Sequence, residues 1–211
     1  LVELFVSAFV ALFVVIDPPG CAPIYAGLTA DATAAQRRAM AIKASIIATL
    51  ILLVFALFGE DLLGALHIEL DAFRIAGGIM LFVIAIDMVF EKRTERRHDR
   101  ADKVLAQRDA THEVEDVSVF PMAMPMLAGP GAIASIMLLM ARAEGLEQTM
   151  AILAALALVM LLTLVALLAA APIMRLFGHE FESVVTRLLG VILAALAAQF
   201  VIDGLRGSFN L

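Results

Sequence analysis

The chain has 211 residues, of which 63% are hydrophobic and only 17% charged, with a formal net charge of −6. So apolar a composition excludes a soluble domain, which must cover itself with polar side chains, and assigns the chain to a lipid bilayer. Acidic and basic residues are interleaved in the polar segments and form no basic patch, which leaves no binding surface for nucleic acid.

A membrane-spanning helix takes roughly 20 mostly apolar residues rising about 1.5 Å each. Six stretches qualify, at about 3–30, 40–58, 72–90, 117–141, 149–170 and 184–204. The fold class that follows is all-α, a polytopic membrane protein of six transmembrane helices. The first stretch lacks a basic flank and a small-residue cleavage site, so it is expected to remain as a span.

That first stretch is interrupted by VVIDPPGCAPIY, residues 14–25. Proline inside a helix removes a donor and clashes with the carbonyl four residues back, costing about 3 kcal/mol, and glycine beside it lets the chain leave helical geometry. Six of the seven prolines fall in two stretches: Pro18, Pro19 and Pro23 in the first, Pro121, Pro125 and Pro130 of VFPMAMPMLAGPGAIA in the fourth. Each is expected to be two half-helices around an unwound joint. Freed backbone groups cost several kcal/mol each in hydrocarbon, so both joints should face inward. Roughly 13 apolar residues precede Asp17 and about 12 precede Gly129, a rise that sets both joints near mid-membrane.

Asp17 has two readings. Before Pro18 it is a good helix N-cap; as an ionisable group at membrane depth it is a candidate for binding a substrate ammonium or exchanging a proton. Ala128 holds the corresponding place in the fourth stretch, so the joints are not chemically equivalent. Met122, Met124 and Met126 read as core filling, with an adaptable apolar lining as the alternative.

Among the other spans, Ser45, Thr49, Thr163 and Gln199 read as interhelical hydrogen-bond partners. Arg74 and Arg187, which open the third and sixth spans, either snorkel to the interface or reach back to the joints or to Asp17. Gly77, Gly78 and Gly190 read as sites of close helix packing. Asp87 and Asp203 lie near span ends and read as wetted. One cysteine, and histidines confined to the segments between spans, give no metal site within the membrane.

Between the third and fourth spans lies EKRTERRHDRADKVLAQRDATHEVED (91–116), with seven basic and eight acidic residues, Asp99 and Lys103 spaced to meet on a helix face. It reads as a solvated cytoplasmic linker whose role is connection, with regulation or partner binding as the alternative. Basic residues crowd one side: Arg37, Arg38, Lys43, the linker, Arg175 and Arg187, against Arg74, Arg142 and Arg206 on the other. The positive-inside rule then places both termini away from the cytoplasm.

The linker separates residues 1–90 from 117–211, three spans each. FRIAGGIML (73–81) slides onto TRLLGVILA (186–194), setting Arg74 over Arg187 and Gly77 over Gly190, while PPG (18–20) lies over GPG (129–131) at nearly the same offset. An odd number of spans per half makes these inverted three-helix repeats related by an axis in the membrane plane. The second half-helices begin at Pro18 and Pro130, and their N-termini would aim positive dipole ends and unpaired N–H groups at a shared cavity. A substrate site is expected from Asp17, Pro18, Pro19 and Gly20 with Gly129, Pro130 and Gly131, supported by Arg74, Arg187, Gly77 and Gly190. Its N–H groups suit a carboxylate, and its loose carbonyls suit an ammonium, a sodium ion or a proton carrier.

The combination of DPPG, FRIAGGIMLFVIAIDM, PMAMPMLAGPGAI and RLLGVILAALAAQFVIDGL resembles the MarC family, also grouped with small neutral amino-acid transporters, over essentially the whole chain. The resemblance implies a six-span protein of the bacterial cytoplasmic (inner) membrane. For some relatives it also implies transport of glycine, alanine or similar amino acids. The leading expectation is a secondary transporter, an exporter of small neutral amino acids, driven by a proton or sodium gradient and working by rocking of the two halves. No cofactor is expected, since no nucleotide-binding loop is present. An intramembrane enzyme is not expected, because the spans hold no histidine to activate a serine. A channel, lipid translocase or membrane scaffold is the alternative, and homo-oligomers stay open.

Overall fold

A computed structural model of the chain describes residues 1–90, 96, 99 and 116–209, with the side chains of 171–183 outside the description. Regular structure among the described residues is helical throughout: α1 (Val2–Ile16), α2 (Pro18–Leu28), α3 (Ala34–Ala65), α4 (Leu70–Val89), α5 (Ser118–Leu127), α6 (Pro130–Met140), α7 (Leu146–Leu168) and α8 (Ala170–Phe209). Five stretches are long and apolar enough to cross a membrane, with Val2–Leu28 counted as one, and the bent pair α5–α6 makes a sixth. The all-helical, six-span expectation is met. Of the charged linker 91–116, only Arg96, Asp99 and Asp116 are described, so the spacing of Asp99 and Lys103 lies outside the described residues.

The helix α3 is longer than the apolar run at 40–58 that announces it, because its start is set by capping. The Thr33 hydroxyl accepts from the Gln36 N–H at 3.3 Å while the Gln36 amide oxygen accepts from the Thr33 N–H at 2.9 Å, a capping box. Its 32 residues rise about 48 Å, well beyond a hydrocarbon core of about 30 Å, so its end turns, with Arg37 and Arg38 at one end and Glu60 and Asp61 at the other, project past it. Within the core α3 has two faces. Ala41, Ala44, Ala48, Leu52 and Ala56 are buried, whereas Ile46, Leu50, Val54 and Leu57 are more than half exposed and form the lipid side.

Helices of the first half pack chiefly on helices of the second: α4 along α8, α1 and α3 against α7, and α3 against α5 and α6. The halves 1–90 and 117–211 are thus interleaved in space. Lipid is as apolar as leucine, so such contacts depend on close van der Waals approach through small residues. Glycines supply it on the antiparallel α4–α8 pair. A Cβ on Gly78 would stand 2.8 Å from the Ala197 carbonyl oxygen, and one on Gly190 would stand 2.9 Å from Met88 Cβ. Gly77 makes the same kind of approach to α6, where an added Cβ would lie 2.9 Å from Leu138 Cδ1.

Candidate functional site

At the first break α1 and α2 are joined by a single residue, Asp17, in the left-handed conformation (φ 59°, ψ 64°). Proline bars the preceding residue from the α region, and aspartate tolerates the left-handed alternative better than most side chains. The Asp17 N–H still donates to the Phe13 carbonyl at 2.9 Å, ending α1. Its side chain then caps α2, with Oδ1 accepting from the Gly20 N–H at 3.2 Å. Pro18 and Pro19 have no N–H, and the Cys21 N–H returns to the Asp17 carbonyl at 3.0 Å. Every donor of the first turn of α2 is therefore absent or engaged. Gly20 is required here, because an added Cβ would fall 2.8 Å from the Asp17 carboxyl carbon. The expectation of unpaired N–H groups at this joint is overturned: paired prolines delete two donors and the aspartate takes the third.

The second break differs. Phe120 and Met124, each preceding a proline, are forced into extended geometry (φ −125° and −133°), and α5 is wound with wide turns closed by bonds such as Ala128 N–H to the Ala123 carbonyl at 2.9 Å. The axis turns by 52° between α5 and α6. Gly129, extended at φ −77° and ψ 170°, is the N-cap of α6 and brings no side chain to cap it. Only one proline, Pro130, occupies the first turn. The N–H groups of Gly131 and Ala132 therefore keep no partner among the described residues. The half-helices α2 and α6 have 11 residues each, a rise of about 16 Å, which sets both breaks at about half the depth of the core.

A cavity of about 380 Å³ opens on this second N-terminus, lined by Gly129, Pro130, Gly131 and Ala132 together with Asp87 and Arg96. Val15 of α1 lines it too, and a Cβ on Gly131 would come within 3.2 Å of Val15 Cγ1, so the two breaks are neighbours. Asp17 is not in this wall: it is 1% exposed and sits in the core. The carboxylate in the wall is Asp87, in the last turn of α4, whose side chain is 12% exposed and ion-paired with Arg96. Asp87, expected to be wetted, is largely covered and held by Arg96, and it lines the cavity. The cavity thus combines helix-end donors, a carboxylate and a guanidinium.

Residues 2–209 match the family described as MarC family integral membrane protein. The chain belongs to the MarC family. It is 36% identical to the UPF0056 membrane protein YvbG of Bacillus subtilis, over 97% of this chain and 95% of the relative. A UPF0056 membrane protein of Methanocaldococcus jannaschii is 35% identical over 98% of both chains, and YhcE of Escherichia coli is 31% identical over 95% and 91%. No solved structure matches the chain.

In this MarC protein neither of the expected supporting arginines lines the cavity of the second break. Arg74 pairs with Asp71 at 2.7 Å on its own helix, and Arg187 is exposed on α8. Asp203, expected to be wetted, is ion-paired with Arg142, whose guanidinium also stacks 4.5 Å over the Phe200 ring. Burial holds the Arg142 guanidinium below its ordinary range. Two of the hydroxyls expected to bridge helices instead serve their own, Thr49 donating to the Ser45 carbonyl at 2.7 Å and Thr163 to the Val159 carbonyl at 2.8 Å, while the Ser45 hydroxyl has no partner among the described residues. Gln199 likewise donates to Asp203 one turn on, at 2.7 Å. Asp87 was the missed residue, and its signal was plain: an ionisable side chain in an apolar stretch.

Proposed function

We propose that this MarC protein is a secondary transporter of small neutral amino acids and that the solute lies in the cavity of the second break. One observation carries the reading: the same cavity wall holds a carboxylate and, at a helix N-terminus, N–H donors that have no partner among the described residues. A zwitterion is complementary to that pair. Its carboxylate accepts from the Gly131 and Ala132 N–H groups and gains the positive end of the α6 dipole. Its ammonium replaces Arg96 on Asp87. A cavity of about 380 Å³ lies at the small end of ligand sites, which suits a solute with a short side chain.

The distribution of basic residues supports a bacterial inner-membrane location with both termini outside the cytoplasm. In that orientation Asp87 and the cavity mouth face the cytoplasm, the loading side for export. The interleaved helices leave no independent halves to rock, so alternating access is assigned to the hinged pair α5–α6 moving against α4 and α1. A proton or sodium gradient supplies the energy, and no chemical conversion is involved. The test is counterflow: proteoliposomes loaded with unlabelled alanine, glycine or serine should accumulate the labelled amino acid transiently and saturably. Flux linear in concentration would indicate a channel, and no flux under any gradient would indicate a scaffold; either result ends the proposal.

A further inference from the structure

We infer that a second site, at the linker-side end of the bundle, binds the phosphate headgroup of an anionic phospholipid. A cavity of about 250 Å³ lies where α2 and α7 end and α3 begins, lined by Tyr25, Thr29, Arg37, Arg38 and Leu168. Neither arginine has an ion-pair partner among the described residues. Both hydroxyls in the wall already donate, Tyr25 to the Arg37 carbonyl and Thr29 to the Tyr25 carbonyl at 2.7 Å, so the donors left for a ligand are the guanidinium groups. The capping box engages Thr33 and Gln36, leaving the N–H of Ala34, a residue of the cavity wall, as one further donor. Two guanidinium groups and a free N–H at a helix N-terminus suit an anion.

The surroundings favour a lipid over a free anion. Arg38 also borders a shallow groove along α3 formed by Ala34, Ala35, Ala39 and Ile42. Small side chains there leave room for an acyl chain, and Leu168, 46% exposed, gives the cavity an apolar lip. The arginines lie in the turns of α3 that project past the hydrocarbon, at the depth of headgroups.

Native mass spectrometry of the full chain, delipidated and then incubated with phosphatidylglycerol or phosphatidylcholine, tests this assignment. The wild type should retain phosphatidylglycerol preferentially. Arg37→Ala/Arg38→Ala should weaken that retention roughly thirtyfold, the effect of removing two charges near an anionic surface. Arg206→Ala, at the opposite end of the bundle, should retain it fully. Ala39→Trp, which fills the groove and keeps both charges, should also weaken it and serves as the readout if the double variant does not fold. Equal retention of the two lipids, unchanged retention in either groove or arginine variant, or displacement by millimolar inorganic phosphate overturns the lipid site.

Discussion

The two proline breaks start from related sequence, DPPG at 17–20 and AGPG at 128–131, and end in opposite electrostatic states. In the first, prolines fill both initial positions of α2 and the Asp17 side chain takes the Gly20 N–H, so the chain crosses the break with its donors engaged and as one continuous span, Val2–Leu28. In the second, one proline and a side-chain-free cap leave the N–H groups of Gly131 and Ala132 without a partner among the described residues, and the axis turns by 52° into a cavity. The difference teaches that proline and glycine in a span announce a break but not a binding site. What decides is the fate of each N–H in the first turn after the break.

The largest expected effect is at the open break. Gly131→Leu places a side chain in the cavity against Ile84 and Val15 and should lower amino-acid flux at least about tenfold, checked on folded protein in proteoliposomes. Retained flux would move the solute elsewhere. Next comes the closed break. Asp17→Ala loses the cap, about 1 kcal/mol, and puts alanine in the left-handed region, about 1–2 kcal/mol more, which thermal unfolding should register. Asp17→Asn keeps both the acceptor and the left-handed tolerance, so its melting temperature should stay within a degree or two of wild type, a change of a few tenths of a kcal/mol.

A smaller effect separates the breaks from the scaffold. Gly78→Ala sets a methyl against the Ala197 carbonyl oxygen and the Val201 N–H, both backbone and unable to yield, for about 1–3 kcal/mol of destabilisation without a change in substrate affinity. Smallest is the Lys43–Asp116 bridge at the foot of α5. The hydrogen bond from Lys43 lowers the Asp116 carboxyl from 3.8 to about 2. A depressed carboxyl stabilises the fold fully above pH 3.8, and that contribution is lost as pH falls through about 2. Lys43→Met should return the Asp116 titration toward 3.8, read by carboxyl NMR, with little change in stability because both groups are about half exposed.

Much of this architecture is legible in the sequence, and the reasons are physical. Six apolar runs of span length, prolines confined to two of them and glycines on α4 and α8 each follow from strong one-body preferences: hydrophobic length, a missing donor, a missing Cβ. Legibility stops where an outcome depends on which neighbour arrives first. Asp17 could cap or bind, and the choice follows from Gly20 leaving room for its carboxylate to fold back. Asp87 reads as a wetted residue near a span end, and its pairing with Arg96 in a cavity wall depends on a linker residue that the span pattern does not contain. Thr49 and Thr163 find their acceptors one turn back on their own helices, so no partner helix was needed. The interleaving of the halves is a tertiary fact that three-span arithmetic does not contain.

The most direct test of the account compares the two aspartates in one assay. Alanine counterflow is measured in proteoliposomes holding equal amounts of folded wild type, Asp17→Asn or Asp87→Asn. If the open break is the site, Asp17→Asn runs near the wild-type rate while Asp87→Asn, which loses the ammonium partner, falls to background. The reverse pattern, a silent Asp17→Asn beside a fully active Asp87→Asn, would contradict it.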